Sequence, residues 1–452
     1  MRFDVSVGTT ALREFAKVTL ARGATGDAAT LYIDYAPVRQ VCPTPQPVVL
    51  DFLLLAATIY AADKIGDRRL TEDAWTREFV VRVPVSDPDL WTSQANALEA
   101  AIGFLTGDVW TFEFYRLETR LPMPRSGRVR RFPRLRGDAA CLFSGGLDSL
   151  VGAIDWLEAY PEKQLVLVGH HDPAIPGPKG DQDKVWRCLN RRYPNRTRLF
   201  QMGVGQQPEG SDTNFRSRSI VFLAMGVLAA KAIGTRHPLL IPENGTISIN
   251  VPLTPSRRGS CSTRTTHPYF LRGLEATLAA LGIYVAIANP LAMKTKGECV
   301  RECLNQGALA ECLPASVSCA KRGHTSNWVR NMSGTGPDAR KLEHCGRCMP
   351  CIFRRAALHA AGMDNALYGT DICAGELDIV DAELSASDFM ACLSFLRQDY
   401  SRDDLVAKII SNGPVPSDRA GAHAATVWRA MEELRHLLRD KAIAPIREAA
   451  GL

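Results

Sequence analysis

The run Cys141-Leu-Phe-Ser-Gly-Gly-Leu-Asp-Ser149 constrains this chain more than any other, because it joins a strand pattern directly to a helical one. Ala139–Phe143 is a short continuous apolar stretch, and Leu150, Ile154 and Leu157 then recur on one helical face. A strand–turn–helix unit of this kind belongs to α/β folds built on a parallel sheet. The adjacent glycines Gly145 and Gly146 let the backbone turn tightly and approach a ligand. Around them, Ser144, Ser149 and the helix N-terminus offer donors to phosphate oxygens. Asp148 in the same turn repels phosphate unless Mg²⁺ bridges the two. The run lacks both the Gly-Lys-Ser/Thr of a Walker A loop and the spacing of a dinucleotide-binding turn. A plain serine-capped turn is the bland alternative; two serines, two glycines and an aspartate together favour phosphate.

At 452 residues the chain has room for two or three domains. Short apolar runs at Leu165–Val168, Leu199–Met202, Leu239–Ile241 and Tyr284–Ile287 alternate with helical stretches. That rhythm predicts a doubly wound parallel sheet with helices on both faces. Residues 1–123 read differently: Thr30–Tyr35, Glu78–Val85 and Val109–Leu117 alternate as half-buried strands do, while Val49–Ala62 and Leu90–Leu105 look helical. The expected organisation is an N-terminal α+β domain (1–123) for scaffolding or docking, an arginine-rich linker (124–137), a nucleotide-binding domain (138–311), a cysteine-rich segment (312–356) and a helical C-terminal region (357–452). In the last, Ser417 is placed to cap a helix striped by Val427, Met431, Leu434 and Leu438.

Lys plus Arg is 54 against 48 for Asp plus Glu, but residues 125–136 alone hold six arginines and no acid. The rest of the chain is therefore balanced, which argues against a broad nucleic-acid-binding face. Its longest apolar stretches, Phe52–Ala62 and Ile220–Ala230, are eleven residues each, too short to span a bilayer. With no leader pattern at Met1, the expected location is the cytoplasm. Thirteen cysteines in so long a chain do not make a disulfide framework.

Cys345-Gly-Arg-Cys348-Met-Pro-Cys351 spaces three thiols regularly, and Cys319 upstream can supply a fourth. Four thiolates suit a closed tetrahedral Zn²⁺ site with a structural role; an iron–sulfur cluster is the competitor. Cys312, His324 and His344 stand in reserve for the fourth position.

The SGGxDS pattern at Ser144–Ser149 resembles the PP-loop ATP pyrophosphatases, at all five fixed positions. That family shares an adenine-nucleotide α-hydrolase-like doubly wound sheet, and its chemistry is attack of an oxygen nucleophile on the α-phosphate of ATP with release of pyrophosphate. The resemblance implies ATP contacts at Ser144, Gly145, Gly146, Leu147, Asp148 and Ser149. A PP-loop followed by CxxCxxC is similar to the QueC family, the 7-cyano-7-deazaguanine synthases, over roughly residues 138–370. Phe215-Arg-Ser-Arg-Ser-Ile-Val-Phe-Leu223 looks like its PxRNxxFL helix, without the proline and with Ser219 in place of asparagine. Met293–Glu298 looks like its Thr-Lys-x-Glu turn, and Arg354-Arg355, Gly362-Met-Asp364 and Tyr368 match its closing segment. The block from Pro242 to Pro268 and the extra terminal regions look like the longer QueC-like proteins of Qat antiviral defence, the QatC group.

This resemblance implies adenylation of 7-carboxy-7-deazaguanine or a similar acid and capture by an amine, with partner proteins of a defence operon. Arg218 and Lys296 are then the cations aimed at the α-phosphate, alongside Asp148. Glu243, Asn244, Thr266 and His267 are candidates for the base or carboxylate, each equally suited to helix capping or loop satisfaction. His170, His171 and Asp172 share the strand-end position and are not assigned to a metal. Two alternatives remain in view: a tRNA-modifying enzyme, and a nucleotide-binding subunit without turnover.

Overall fold

The structure is a computed structural model; it describes residues 1–8, 15–22, 28–42, 45–119, 121, 135–207, 210, 216–257, 264–322, 342, 344–377 and 386–452. Ten strands form one sheet: β1 (Arg2–Gly8), β2 (Phe15–Arg22), β3 (Ala28–Asp34), β4 (Glu78–Val85), β5 (Val109–Arg116), β6 (Ala139–Leu142), β7 (Leu165–His171), β8 (Thr197–Gln207), β9 (Leu239–Leu240) and β10 (Ile287–Ala288). Their order is β10-β9-β6-β7-β8-β3-β2-β1-β4-β5. Neighbours from β10 through β8 are parallel, as are β1, β4 and β5, whereas β8–β3, β3–β2 and β2–β1 run antiparallel.

The sequence pattern separates residues 1–123 from the remainder of the chain, yet their strands continue the parallel sheet through the β3–β8 pair, with Ile33 opposite Val204. The N-terminal helices are α1 (Ala36–Val41), α2 (Pro47–Ile65), α3 (Pro88–Ser93) and α4 (Ala95–Thr106). Around the parallel strands lie α5 (Leu147–Ala159), α6 (Pro178–Arg192), α7 (Arg218–Ile233), α8 (Gly245–Ile249), α9 (Pro268–Ala280), α10 (Lys296–Arg301) and α11 (Gln306–Cys312). Helices α2 and α7 are apolar all round, which a helix tolerates only when enclosed. They pack side by side against the sheet, and one hydrophobic core runs from Phe3 and Val5 through Phe52 and Leu228 to Leu274.

A second core belongs to the C-terminal helices α12 (Met349–Ala360), α13 (Ser387–Arg397), α14 (Arg402–Asn412), α15 (Ser417–Lys441) and α16 (Ala444–Ala449). The expected α15 stripe is buried, but Ser417 does not cap it. Pro416 takes the extended N-cap position and makes no side-chain cap, leaving Ser417 as the first helical residue. Most of the arginine-rich stretch lies outside the described residues. Leu135–Gly137 lead into the N-terminal end of β6, the end away from the turn at Ser144. No helix among the described residues is long and apolar enough to cross a membrane.

Candidate functional site

The glycine turn leaves the carboxyl end of β6, where ligands collect in open parallel sheets. Gly145 has φ +80°, and a Cβ there would press on the backbone of Gln182 in α6, so both conformation and space require glycine. The extended Gly146 is the N-cap of α5 and has no side chain to cap it. The Gly146 N–H donates to Ser144 Oγ at 3.3 Å, and Ser149 Oγ donates to the Gly146 carbonyl at 2.9 Å. The two serine hydroxyls stand 3.4 Å apart beside the positive end of α5. Ser144, Gly146, Leu147, Asp148 and Ser149 line a cavity of about 400 Å³, together with Arg218, Glu243, Thr266 and Lys296.

Asp148 is the electrostatic centre of this cavity. Lys296 Nζ donates to its Oδ1 at 2.6 Å and Asn244 Nδ2 to its Oδ2 at 2.8 Å. Burial opposes ionisation of Asp148, but the Lys296 charge and hydrogen bonds from Glu243, Lys296 and Asn244 outweigh it, holding the carboxyl below its usual range. Glu243 is pushed well above its own range by burial and by the Asp148 charge beside it. One corner therefore holds an ionised and a protonated carboxyl, a separation typical of functional sites.

Lys296 is presented by a rigid turn. Thr295 caps α10 in a capping box with Glu298: its side chain accepts from the Glu298 N–H, and the Thr295 N–H donates back to Glu298 Oε2 at 2.8 Å. Helix α15 braces the same turn, because Glu433 accepts from Thr295 Oγ1 and, at 3.2 Å, from the Gly297 N–H. Arg429 adds bonds to Glu298 and to the Met293 carbonyl. A Cβ on Gly297 would fall 2.3 Å from Glu433 Oε1, so the close approach depends on glycine.

Arg218 opens α7, and its Nε–H donates to His170 Nδ1 at 3.3 Å. With Nδ1 accepting, the His170 Nε2–H is free to donate to the Val204 carbonyl at 3.0 Å. Burial and the Arg218 charge keep this imidazole neutral by lowering its pKa well below the ordinary value. Asn244 and His267 both have structural roles, and only Asn244 reaches the site, through Asp148. Asn244 Oδ1 caps α8 by accepting from the Ile247 N–H, while its amide holds Asp148. His267 caps α9 through Nδ1, packs edge-on against Phe104, and is not among the cavity-lining residues.

Cys319, Cys345, Cys348 and Cys351 place all four sulfurs within 4.8 Å of one another. The Cys319–Cys348 and Cys345–Cys351 separations are 4.0 and 3.9 Å. Tetrahedral Zn²⁺ with Zn–S bonds of about 2.3 Å requires sulfurs about 3.8 Å apart, close to the two separations given, so this cluster could hold a zinc ion. Gly346, at φ +83°, makes the tight turn between ligands, and Cys348 and Cys351 sit at the start of α12. The fourth ligand ties the cluster to the cavity: beside Cys319, Ser318 Oγ accepts from the Leu147 N–H at 3.2 Å, and the Val317 N–H donates to the Gly145 carbonyl at 2.9 Å. Of the reserve ligands, Cys312 is instead in a disulfide with Cys188, His344 stands outside the four-sulfur group, and His324 lies outside the described residues.

Sequence reasoning missed the Cys188–Cys312 bridge, the Glu433 brace and Tyr60, a cavity-lining residue from α2. No spacing links these residues to their partners, which are brought together only by the tertiary fold. Comparison with protein-family models, curated proteins and solved structures found no match.

Proposed function

We propose that this protein binds ATP at the Ser144–Ser149 turn and adenylates a carboxylic acid, releasing pyrophosphate and passing the acyl group to an amine. The observation that carries this reading is the buried Asp148–Lys296 pair, set at the uncapped start of α5 beside two serine hydroxyls in one cavity. The serines and first-turn N–H groups would hold the polyphosphate. Lys296 would meet charge developing on the α-phosphate, and Arg218 would bring the acid's carboxylate to it. Asp148 is the ionised carboxylate that would hold Mg²⁺, and Glu243 could join it only on losing its proton; the ion, when bound, would neutralise the polyphosphate. The four-cysteine cluster would act structurally, fixing Ser318 against the phosphate turn.

The QueC-like motifs make 7-carboxy-7-deazaguanine the first acid to test, and the Pro242–Pro268 block together with the terminal regions favours the antiviral-defence branch of that resemblance. Incubation with ATP, Mg²⁺, this acid and ammonia as the amine should yield pyrophosphate from the adenylation step and AMP as the amine displaces it, and Asp148→Ala should reduce the rate at least about a hundredfold. Tight ATP binding without AMP under these conditions would replace the ligase with a binding subunit. AMP formation that requires tRNA would replace it with a modification enzyme.

A further inference from the structure

The end of the sheet away from the phosphate turn carries a second cleft, of about 470 Å³, whose lining includes Lys231, Arg236, His237, Glu275 and Tyr284. Strands β6 to β10 all begin at this pole, and the chain from Asp138 to Ser144 separates it from the turn by roughly 20 Å. The cleft is joined to the start of β6, because Thr235 Oγ1 donates to the Asp138 carbonyl. Arg136, two residues earlier, is exposed, and five more arginines precede it within residues 125–135 of the sequence. Lys231, Arg236 and Lys163 make no ion pair among the described residues. Lys163 Nζ donates instead to His237 Nε2 at 2.7 Å, and Arg196 directs its guanidinium to the Lys163, Leu157 and Tyr160 carbonyls. The neighbouring acids accept from uncharged donors: Asp138 from the Gln164 N–H, Glu158 from Tyr193 and Asn305, and Glu275 from the Ile287 N–H. Two tyrosines stand among these cations with surface to spare. Tyr284 is 74% exposed; Tyr160 is 38% exposed, with Lys163 Nζ 4.8 Å from its ring centroid and the His237 ring 5.2 Å away. Open aromatic faces between unpaired cations match a strand whose bases stack and whose phosphates carry charge. An acidic protein would engage only the cations, and a duplex keeps its base faces covered.

We propose that this cleft binds single-stranded nucleic acid. Tyr284 and Tyr160 stack on bases, while Lys231, Arg236 and Lys163 meet phosphates. The site lies at the opposite end of the sheet from the adenylation chemistry and does not depend on that reading.

Fluorescence anisotropy of the full chain tests this with labelled oligo-dT and oligo-rU of about 12 nucleotides, the dT·dA duplex of that length and a poly-glutamate peptide. Titrations run between about 50 and 200 mM salt. The single strands should bind more tightly than the duplex or the peptide, the tighter of the two identifying DNA or RNA. Arg236→Ser should weaken strand binding and lower the slope of log K against log salt by about 0.7, the value for one phosphate contact on a single strand. Tyr284→Ala should weaken binding about tenfold and leave that slope unchanged, because stacking releases no counterion. Both side chains are exposed, so the melting temperature should hold, and ATP affinity should stay within twofold. Failure of the parent protein to bind either strand would overturn the proposal, as would unchanged strand affinity in either variant. Peptide bound as tightly as the strands would replace nucleic acid with an acidic protein partner. Duplex bound as tightly, and indifferent to Tyr284→Ala, would overturn the single-strand assignment.

Discussion

Asp148 and Glu243 occupy one corner in opposite protonation states because Lys296 compensates the first and burial penalises the second. The buried histidines obey the same physics with the opposite charge. Desolvation lowers His170 well below 6.5 and, with Arg264 and His423 nearby, lowers His267 to about 3. A depressed histidine leaves the folded state with fewer bound protons than the unfolded state below the unfolded pKa, so stability falls as pH drops through 6.5. Each ring should approach a loss of about 1.4 kcal/mol per pH unit. Glu243, raised well above its ordinary value, contributes the opposite slope, so the comparison is between proteins: in chemical denaturation at pH 7, 6 and 5, His267→Gln should lose less stability on acidification than the parent, and identical pH dependence in the two would disprove the assignment. The histidine environments were not legible in the sequence, since His170 and His171 read only as an adjacent pair at a strand end. Asp148 was legible because its turn is local. Tyr60 was not, because α2 is apolar all round and a tyrosine within it reads as core.

The strand-to-helix turn, the capping box of α10 and the cysteine turn before α12 are each short, local and specified by a few adjacent residues. That is why their sequences announce them. Their mutual placement depends on longer reach: α15 braces α10 from more than 130 residues away, and Cys319 joins the cluster across a 26-residue separation from Cys345. A zinc ion held by the cluster would act on the Ser144–Ser149 turn through the Cys319 tether, and the effect can be measured. Metal analysis should find one Zn²⁺ per chain, and Cys348→Ser should abolish it, lower the melting temperature and weaken ATP binding on the order of tenfold as Ser318 releases Leu147. Iron with absorption near 400 nm would overturn the zinc assignment. Zinc loss with unchanged ATP affinity would sever the proposed link between cluster and turn. The two-residue strands β9 and β10 were visible only as apolar runs, because their pairing is set by neighbours rather than by an alternation of their own.

The whole molecule is organised by a sheet that crosses from the N-terminal region into the parallel strands. Composition and strand rhythm divide the chain near residue 123, but neither records which edges pair, and the β3–β8 ladder is invisible to both. Deleting residues 1–119 would bare the β8 edge, uncover the face of α7 that packs on α2 and remove Tyr60. The truncated protein should be insoluble or melt without a cooperative transition; a soluble fragment with a sharp melt would show that the two regions fold independently. The same ladder sets a timetable during synthesis. Ile33 pairs with Val204, so one side of β3 emerges from the ribosome long before its partner strand exists. At about 5–20 residues per second the wait is roughly 10–30 s. Through that interval the nascent chain carries an open, apolar strand edge, and its yield in a cell becomes a matter of chaperone supply as much as of final stability.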